Sequence, residues 1–192
     1  NEPPKTDRKR IAALMKERIA VVPYDPTWPQ RFAEVEQRLK KTLPKNLVQR
    51  IAHIGSTAVP GLSAKPIIDV QVEVNDMQEV IDRVVSMMQE AGYEFIWRPS
   101  MGENEPYYAW FIKRDHQGER TEHIHILAPD QSSAERIIFR DILRRHPEDA
   151  AAYEVLKNAL AKKHPNDRVA YTAGKTEFIR NTIRKGRDGG LR

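Results

Sequence analysis

Between His53 and Val70 the chain gathers the residue types that handle phosphate. Gly55 to Ala64 contains two glycines and three hydroxyl residues, Ser56, Thr57 and Ser63. Small residues let backbone N–H groups approach phosphate oxygens, and hydroxyls add donors. Lys65 adds a positive charge, and Asp69 stands where a carboxylate could hold a divalent cation beside that phosphate. Gly55, Ser56, Thr57 and Lys65 are therefore candidate phosphate ligands, and Asp69 a candidate metal ligand. The bland alternative is a tight loop between two strands, with Asp69 in a salt bridge.

Alternation widens the candidate site. From Ile68 to Val74 the apolar residues share one strand face, and Asp69, Gln71 and Glu73 share the other. In His123-Ile124-His125-Ile126 both histidines point away from the isoleucines. If the two strands are neighbours, one polar face carries Asp69, Gln71, Glu73, His123 and His125. The two histidines could ligate a metal with Asp69, or simply hydrogen-bond to backbone or to Asp69. Two further pairs, Tyr153 with Lys157 and Tyr171 with Lys175, are four apart on predicted helices and so share a face. Each could stack on a base and hold a phosphate, or be a packing tyrosine beside a surface lysine. Arg140 could bind phosphate or bridge to Asp141 or Asp149. Trp28, Trp97 and Trp110 read as packing, and His116, His146 and His164 are assigned no role.

The elements that must position these residues follow from period and punctuation. Residues 7–19 read as a short helical arm with Ile11, Leu14 and Met15 on one stripe. A helix runs from Thr27 to about Leu43, with Thr27 and Gln30 in a capping-box pattern and Pro29 in the first turn. Strands are predicted over 47–54, 66–74, 93–98, 107–113 and 119–127, the last two joined by a turn at Asp115–Gly118. A helix capped by Asn75 or Asp76 ends at Gly92. Ser132 to Glu135 opens another by capping-box logic, and helices at about 147–163 and 172–184 follow. The expected architecture is α/β: one mixed sheet flanked by helices, with a helical C-terminal segment.

The 192-residue length suits one domain, and 40% apolar residues suffice to close a core. With no cysteine, disulfides and thiolate metal sites are excluded. No apolar run approaches the ~20 residues a membrane span needs, and no signal peptide is visible, so a cytoplasmic location is expected. The net charge of +5 is concentrated at the ends, +3 in residues 1–18 and +4 in residues 180–192, leaving −2 between them. A basic N-terminal arm (1–18) and a basic tail (185–192) thus frame a central domain (19–184). Such ends could touch nucleic acid or another polyanion, or be solvated tails. Nothing in the sequence sets an oligomeric state.

The stretch from His53 to Val70 closely resembles the signature of the GrpB family. The resemblance continues through Tyr24-Asp25-Pro26 with Trp28 and Phe32, through His123-Ile124-His125, and through Phe139-Arg140-Asp141, Tyr153, Lys157, Tyr171, Lys175 and Phe178. It covers roughly residues 19–180. Membership implies a nucleotidyltransferase-like fold, and members also occur fused to dephospho-coenzyme A kinase. An active nucleotidyltransferase normally carries Asp-x-Asp/Glu on the first of the two strands and a third carboxylate on its neighbour, for two metal ions. Here the second position is Gln71, and the third is histidine or the out-of-phase Glu122.

The catalytic candidates are therefore Asp69, Gln71, His123 and His125. The phosphate-binding candidates are Gly55, Ser56, Thr57, Lys65, Arg140, Lys157 and Lys175, and the metal candidates Asp69, His123 and His125. The ion expected is Mg²⁺ or Mn²⁺; imidazole ligation would also suit Zn²⁺. The leading expectation is nucleotidyl transfer from a nucleoside triphosphate to an unspecified acceptor. The alternatives are a degenerate nucleotide- or polyanion-binding accessory module and a metal-dependent hydrolase.

Overall fold

The computed structural model describes residues 2–18, 20–101 and 104–189; Asn1, Ile19, Gly102, Glu103 and the end of the basic tail, residues 190–192, lie outside the described residues. Five strands form one mixed sheet: β1 (Val48–Ile54), β2 (Ile68–Val74), β3 (Glu94–Met101), β4 (Asn104–Arg114) and β5 (Arg120–Leu127). Their order is β1-β2-β5-β4-β3, and only β2 and β5 run parallel. The two strands that carry the candidate site are thus neighbours, with Asp69 opposite His123 and Gln71 opposite His125.

Helices cover both faces. On one side lie α2 (Trp28–Thr42) and a second helical stretch, α3 (Met77–Glu79) and α4 (Val85–Glu90) joined by a π-helical turn at Val80–Val84. They pack Trp28, Val35, Leu39, Val80, Val84 and Met88 onto Ile68, Val70, Val72, Ile124 and Ile126. The opposite face is divided. Its β3–β4 end is apolar and lies under α1 (Arg8–Met15), whose Leu14 packs with Ile96, Tyr108, Trp110 and Ile112. Its β1–β2–β5 end is polar and faces α5 (Gln131–Arg145), α6 (Pro147–Lys163) and α7 (Arg168–Asp188). The last three helices close on one another through glycine. A methyl group at Gly174 would come within 2.5 Å of Leu160, and one at Gly186 within 2.4 Å of Ile142.

Several local expectations are revised. Thr27 does not cap α2; its hydroxyl donates to Asp25 Oδ1 at 2.7 Å, although Pro29 does occupy the first turn. Helix α5 is capped by Asp130, whose side chain accepts from Ser133 N at 2.7 Å while Ser133 Oγ accepts from Asp130 N at 2.9 Å. The box therefore lies two residues upstream of the Ser132 start. Asp76 caps α3, and Asp167 caps α7, which begins at Arg168, four residues before the expected start. Strands β3 and β4 also extend beyond the expected limits, across Pro99 and Pro106. There they pair only with each other, at the sheet edge where proline is tolerated.

The arm does not stand apart. Besides burying Leu14, it sends Arg10 to Glu94 Oε2 (3.1 Å) and the Phe95 carbonyl (3.2 Å). Glu17 accepts from Arg114 and Arg120, each at 2.8 Å. The apolar stripe of α1 covers sheet surface that would otherwise face water, which outweighs its positive charge.

Candidate functional site

Asp69 is the centre of the polar face. Its Oδ1 lies 3.3 Å from His123 Nδ1 and 3.5 Å from His125 Nε2. Gly55, just past the end of β1, has φ +75°, and a Cβ there would sit 3.0 Å from Asp69 Oδ2. Both the backbone angle and the closeness of the carboxylate require glycine. The chain then turns through a 3₁₀ segment at Ser56–Ala58. Ser56 hydrogen-bonds the buried Tyr153 side chain, and Thr57 Oγ1 lies 2.8 Å from His53 Nε2. Thr57 is buried and does not border the Asp69 cleft, so it braces the loop from behind.

Burial opposes ionisation of Asp69, but its hydrogen bonds from His123 and His125 outweigh that and hold its carboxyl well below the usual range. Burial pushes His123 down to about 4 against the pull of Asp69, and His125 moves in the same direction for the same reason. At neutral pH the cluster is one carboxylate with two neutral imidazoles. Arg120 Nη1 approaches His123 Nε2 at 3.5 Å, which makes that nitrogen the acceptor and Nδ1 the donor toward Asp69.

Cations crowd this carboxylate. Lys65 and Lys175 both lie over the Tyr171 ring, their Nζ atoms 5.8 and 4.6 Å from its centroid. Burial, Arg168 and Lys175 lower Lys65 to about 7, with Asp69 opposing. Burial lowers Lys175 to about 8, with Asp69 opposing and Arg168 assisting. Arg168 is itself buried, and its Nε has no hydrogen-bond partner among the described residues. Arg136 reaches Gln71 Oε1 at 3.4 Å from the α5 side. A cavity of about 440 Å³ opens from Asp69 toward α5, α6 and α7, bounded by Ser56, Arg136, Arg140, Lys175 and an apolar wall that includes Phe139 and Ile179.

The sequence candidates therefore separate. Gly55, Ser56, Asp69, His125, Arg140 and Lys175 border the cavity. His123 and Lys65 stand behind Asp69 and beside Tyr171. Gln71 is fully buried and is directed to α5: its Nε2 donates to the Ser133 carbonyl at 3.1 Å. Lys157 leaves the phosphate-binding set, because it is buried and donates to the Ser63 carbonyl. Glu122 does not supply the third carboxylate position, because it lies on the opposite face and accepts from Tyr93 Oη (2.9 Å) and Arg38 (3.0 Å). Arg140 bridges to Asp141, not Asp149, and also donates to the His53 carbonyl at 3.0 Å. Arg120, Arg136 and Arg168 were not anticipated. Arg136 is one helical turn before Arg140, a spacing that could have revealed it.

The facing atoms of Asp69, His123 and His125 lie within 4.8 Å of one another, and one carboxylate with two imidazoles suits Mn²⁺ or Zn²⁺ better than Mg²⁺. The outer shell does not match a resident ion. Metal-bound histidines normally donate their second N–H to an acceptor. Here His123 Nε2 faces the Arg120 guanidinium, and His125 Nδ1 has no partner among the described residues.

Fold and site together define a mixed α/β protein: a five-stranded sheet flanked by helices, with a polar cleft under its C-terminal helices. A family model described as GrpB protein matches residues 18–185, and the chain belongs to the GrpB family. The crystal structure of the conserved protein GrpB from Enterococcus faecalis superposes with a TM-score of 0.71 at 34% identity, covering 86% of this chain and 98% of that one. A UPF0157 protein of Pseudomonas aeruginosa is 39% identical over 78% of this chain, which spans 60% of that relative's length. A dephospho-CoA kinase of Mycolicibacterium paratuberculosis is 32% identical over 53% of the chain, which covers 25% of the kinase. Among the described residues no helix is long and apolar enough to cross a membrane.

Proposed function

We propose that the cleft binds a nucleotide through its phosphates, in the manner of a nucleotidyltransferase-like protein without a second metal-binding carboxylate. The observation that carries this reading is the charge balance around Asp69. One carboxylate faces Lys65, Lys175 and Arg168, with Arg120 and Arg136 close behind. Such a site attracts an anion and opposes a bare cation. The phosphates sit between Ser56 and Lys175, with Lys65 adding charge from behind Asp69, and the base lies along Phe139 and Ile179. A divalent cation, Mg²⁺ or Mn²⁺, arrives with the phosphates, and Asp69 is the carboxylate that meets it.

Nucleotidyl transfer is the second reading, favoured by the ionised Asp69 beside the Gly55–Ser56 loop. The engagement of Gln71 with α5 leaves a two-metal mechanism without its second ligand, so the accessory-binding role has the stronger support. The unmatched outer shell of the two histidines weighs against a metal-dependent hydrolase.

A nucleotide panel with Mg²⁺ or Mn²⁺, read by thermal melting and calorimetry, tests the proposal. A bound triphosphate raises the melting temperature, with a stabilisation that grows as the logarithm of its excess over Kd. Lys175→Ala weakens binding with or without metal, whereas Asp69→Asn removes only the metal-dependent part. Equal nucleotide affinity in wild type, Lys175→Ala and Asp69→Asn would make this cluster structural.

A further inference from the structure

Behind the Ser56–Ala58 turn, on the side away from Asp69, a second cavity of about 640 Å³ lies between α2, α5 and the edge strand β1. Its size falls within the range of small-molecule sites. Three guanidinium groups reach it, those of Arg50, Arg140 and Arg144, together with the rings of Tyr24, Phe32 and His53.

The three arginines are not equally occupied. Arg50 is paired with Glu73. Arg140 is held by Asp141 and by the His53 carbonyl. Arg144 donates through Nε to the Ala58 carbonyl at 2.8 Å, and its side chain has no ion pair among the described residues. That one bond anchors the guanidinium at the cavity lining, and its terminal amino groups have no hydrogen-bond partner among the described residues. Arg140 and Arg144 are one turn apart on α5, so they place like charges side by side. Burial and Arg140 both depress the Arg144 pKa, with Asp141 offsetting in part. An anion between the two would relieve that repulsion. Next to them the half-buried Phe32 stacks on His53, with centroids 4.7 Å apart and planes 11° from parallel. Burial and the two arginines, opposed by Asp69, push His53 down to about 4, so the stack is neutral at pH 7.

We propose that this cavity is a second ligand site, for a molecule that joins a flat base to a phosphate, with the phosphate on Arg144 and Arg140 and the base against Phe32. Planar guanidinium forks suit phosphate oxygens, and an aromatic face accepts any base. A free nucleotide and the end of a single-stranded RNA share this chemistry. Arg140 borders both cavities, so two ligands would lie on either side of one short turn.

The test measures binding of adenosine 5′-monophosphate, ribose 5-phosphate and a five-nucleotide single-stranded RNA by calorimetry. Each is run on the full chain and on a Lys175→Glu background that disables the first cleft. The expected result is that adenosine 5′-monophosphate still binds the Lys175→Glu chain. Arg144→Gln on that background weakens it at least tenfold, Arg144→Lys recovers part of the loss, and Phe32→Leu weakens it several-fold. Ribose 5-phosphate binds several-fold more weakly than the nucleotide. RNA that binds at least tenfold more tightly than the mononucleotide identifies a strand as the occupant; equal affinity identifies the free nucleotide. Arg144 is exposed, and melting temperatures of the variants confirm folding. The proposal is overturned if neither nucleotide nor RNA binds the Lys175→Glu chain at millimolar concentration, or if Arg144→Gln and Phe32→Leu bind them as the parent does. Failure of the first-cleft reading shows separately, as nucleotide binding that Lys175→Glu does not reduce.

Discussion

The two faces of β2 and β5 follow different rules. On one, Ile68, Val70, Val72, Ile124 and Ile126 are all 0% exposed and pack with apolar side chains of α2, the π-helical turn and α4. On the other, the alternate residues Asp69, Gln71, Glu73, His123 and His125 are buried or half-buried and held by hydrogen bonds and ion pairs. The first face is specified by volume and hydrophobicity, so it tolerates change in kind but not in size. The second is specified by hydrogen bonds and charge, where an isosteric change can be severe for binding and mild for stability. One strand period delivers both surfaces, which is why a single stretch of sequence encodes core and site together.

The largest effect that separates the faces is on stability. Ile124→Ala should cost about 2–5 kcal/mol, because it leaves a cavity at a fully buried position of the central strand. Denaturant unfolding measures it. Asp69→Asn, one lattice position away on the partner strand, should cost well under half of that while removing metal-dependent nucleotide binding. Equal stability losses would mean that the polar face is core in all but composition.

Gln71→Glu gives a smaller effect and sharpens the comparison. On a catalytic reading it restores a metal ligand. The structure predicts something else: a carboxylate cannot donate to the Ser133 carbonyl as Gln71 Nε2 does, so two acceptors would confront each other under α5. Arg136, already 3.4 Å from Gln71 Oε1, offsets part of that loss. A net destabilisation of about 1–2 kcal/mol is expected, without tighter Mg²⁺ binding. Unchanged stability with tighter Mg²⁺ binding would return Gln71 to the ligand set.

Much of this division could be read in the sequence. Strand alternation alone put Asp69, His123 and His125 on one face, because β2 and β5 are regular where they pair. The residues that escaped did so where regularity breaks. Arg120 by strict alternation belongs with Ile124 on the apolar face. The β4–β5 register shifts between Lys113 and Arg114, and Arg120 turns toward Trp110 and His123. Arg168 was hidden because α7 was expected to begin at residue 172. With the start at Arg168, under an Asp167 cap, Arg168, Tyr171 and Lys175 fall on one helical face. The role of Gln71 could not be read at all, since its partner is a backbone carbonyl 62 residues away.

Site electrostatics predict a pH dependence of intermediate size. A lysine is charged below its pKa, and Lys65 and Lys175 are held near 7 and 8. Phosphate affinity should therefore be greatest near pH 7 and fall as pH rises to about 9, by up to roughly tenfold per unit for each ammonium that must be re-protonated. Binding at pH 8 should take up protons, visible as a calorimetric enthalpy that varies with buffer ionisation. Lys65→Arg, which stays charged, should flatten the profile. A profile flat from pH 7 to 9 in wild type would remove both ammonium groups from the binding step.

The smallest effect belongs to Ser56, and it needs a cycle to interpret. The hydroxyl borders the cleft and also bonds the Tyr153 side chain. Ser56→Ala should weaken nucleotide binding by about 1 kcal/mol, roughly fivefold, if the hydroxyl donates to a phosphate oxygen. The same change leaves the buried Tyr153 hydroxyl without this partner, which could lower affinity indirectly by shifting the apolar wall. Tyr153→Phe separates the two routes, since it removes the Tyr153 demand and keeps Ser56 free to donate. If Ser56 acts on the ligand, Ser56→Ala loses the same fivefold in the Tyr153→Phe background as in wild type. If it acts only through Tyr153, the loss vanishes there, and the coupling energy of the cycle equals the whole effect. Calorimetric titration of the four chains with one triphosphate decides between a serine that holds phosphate and a serine that holds the wall.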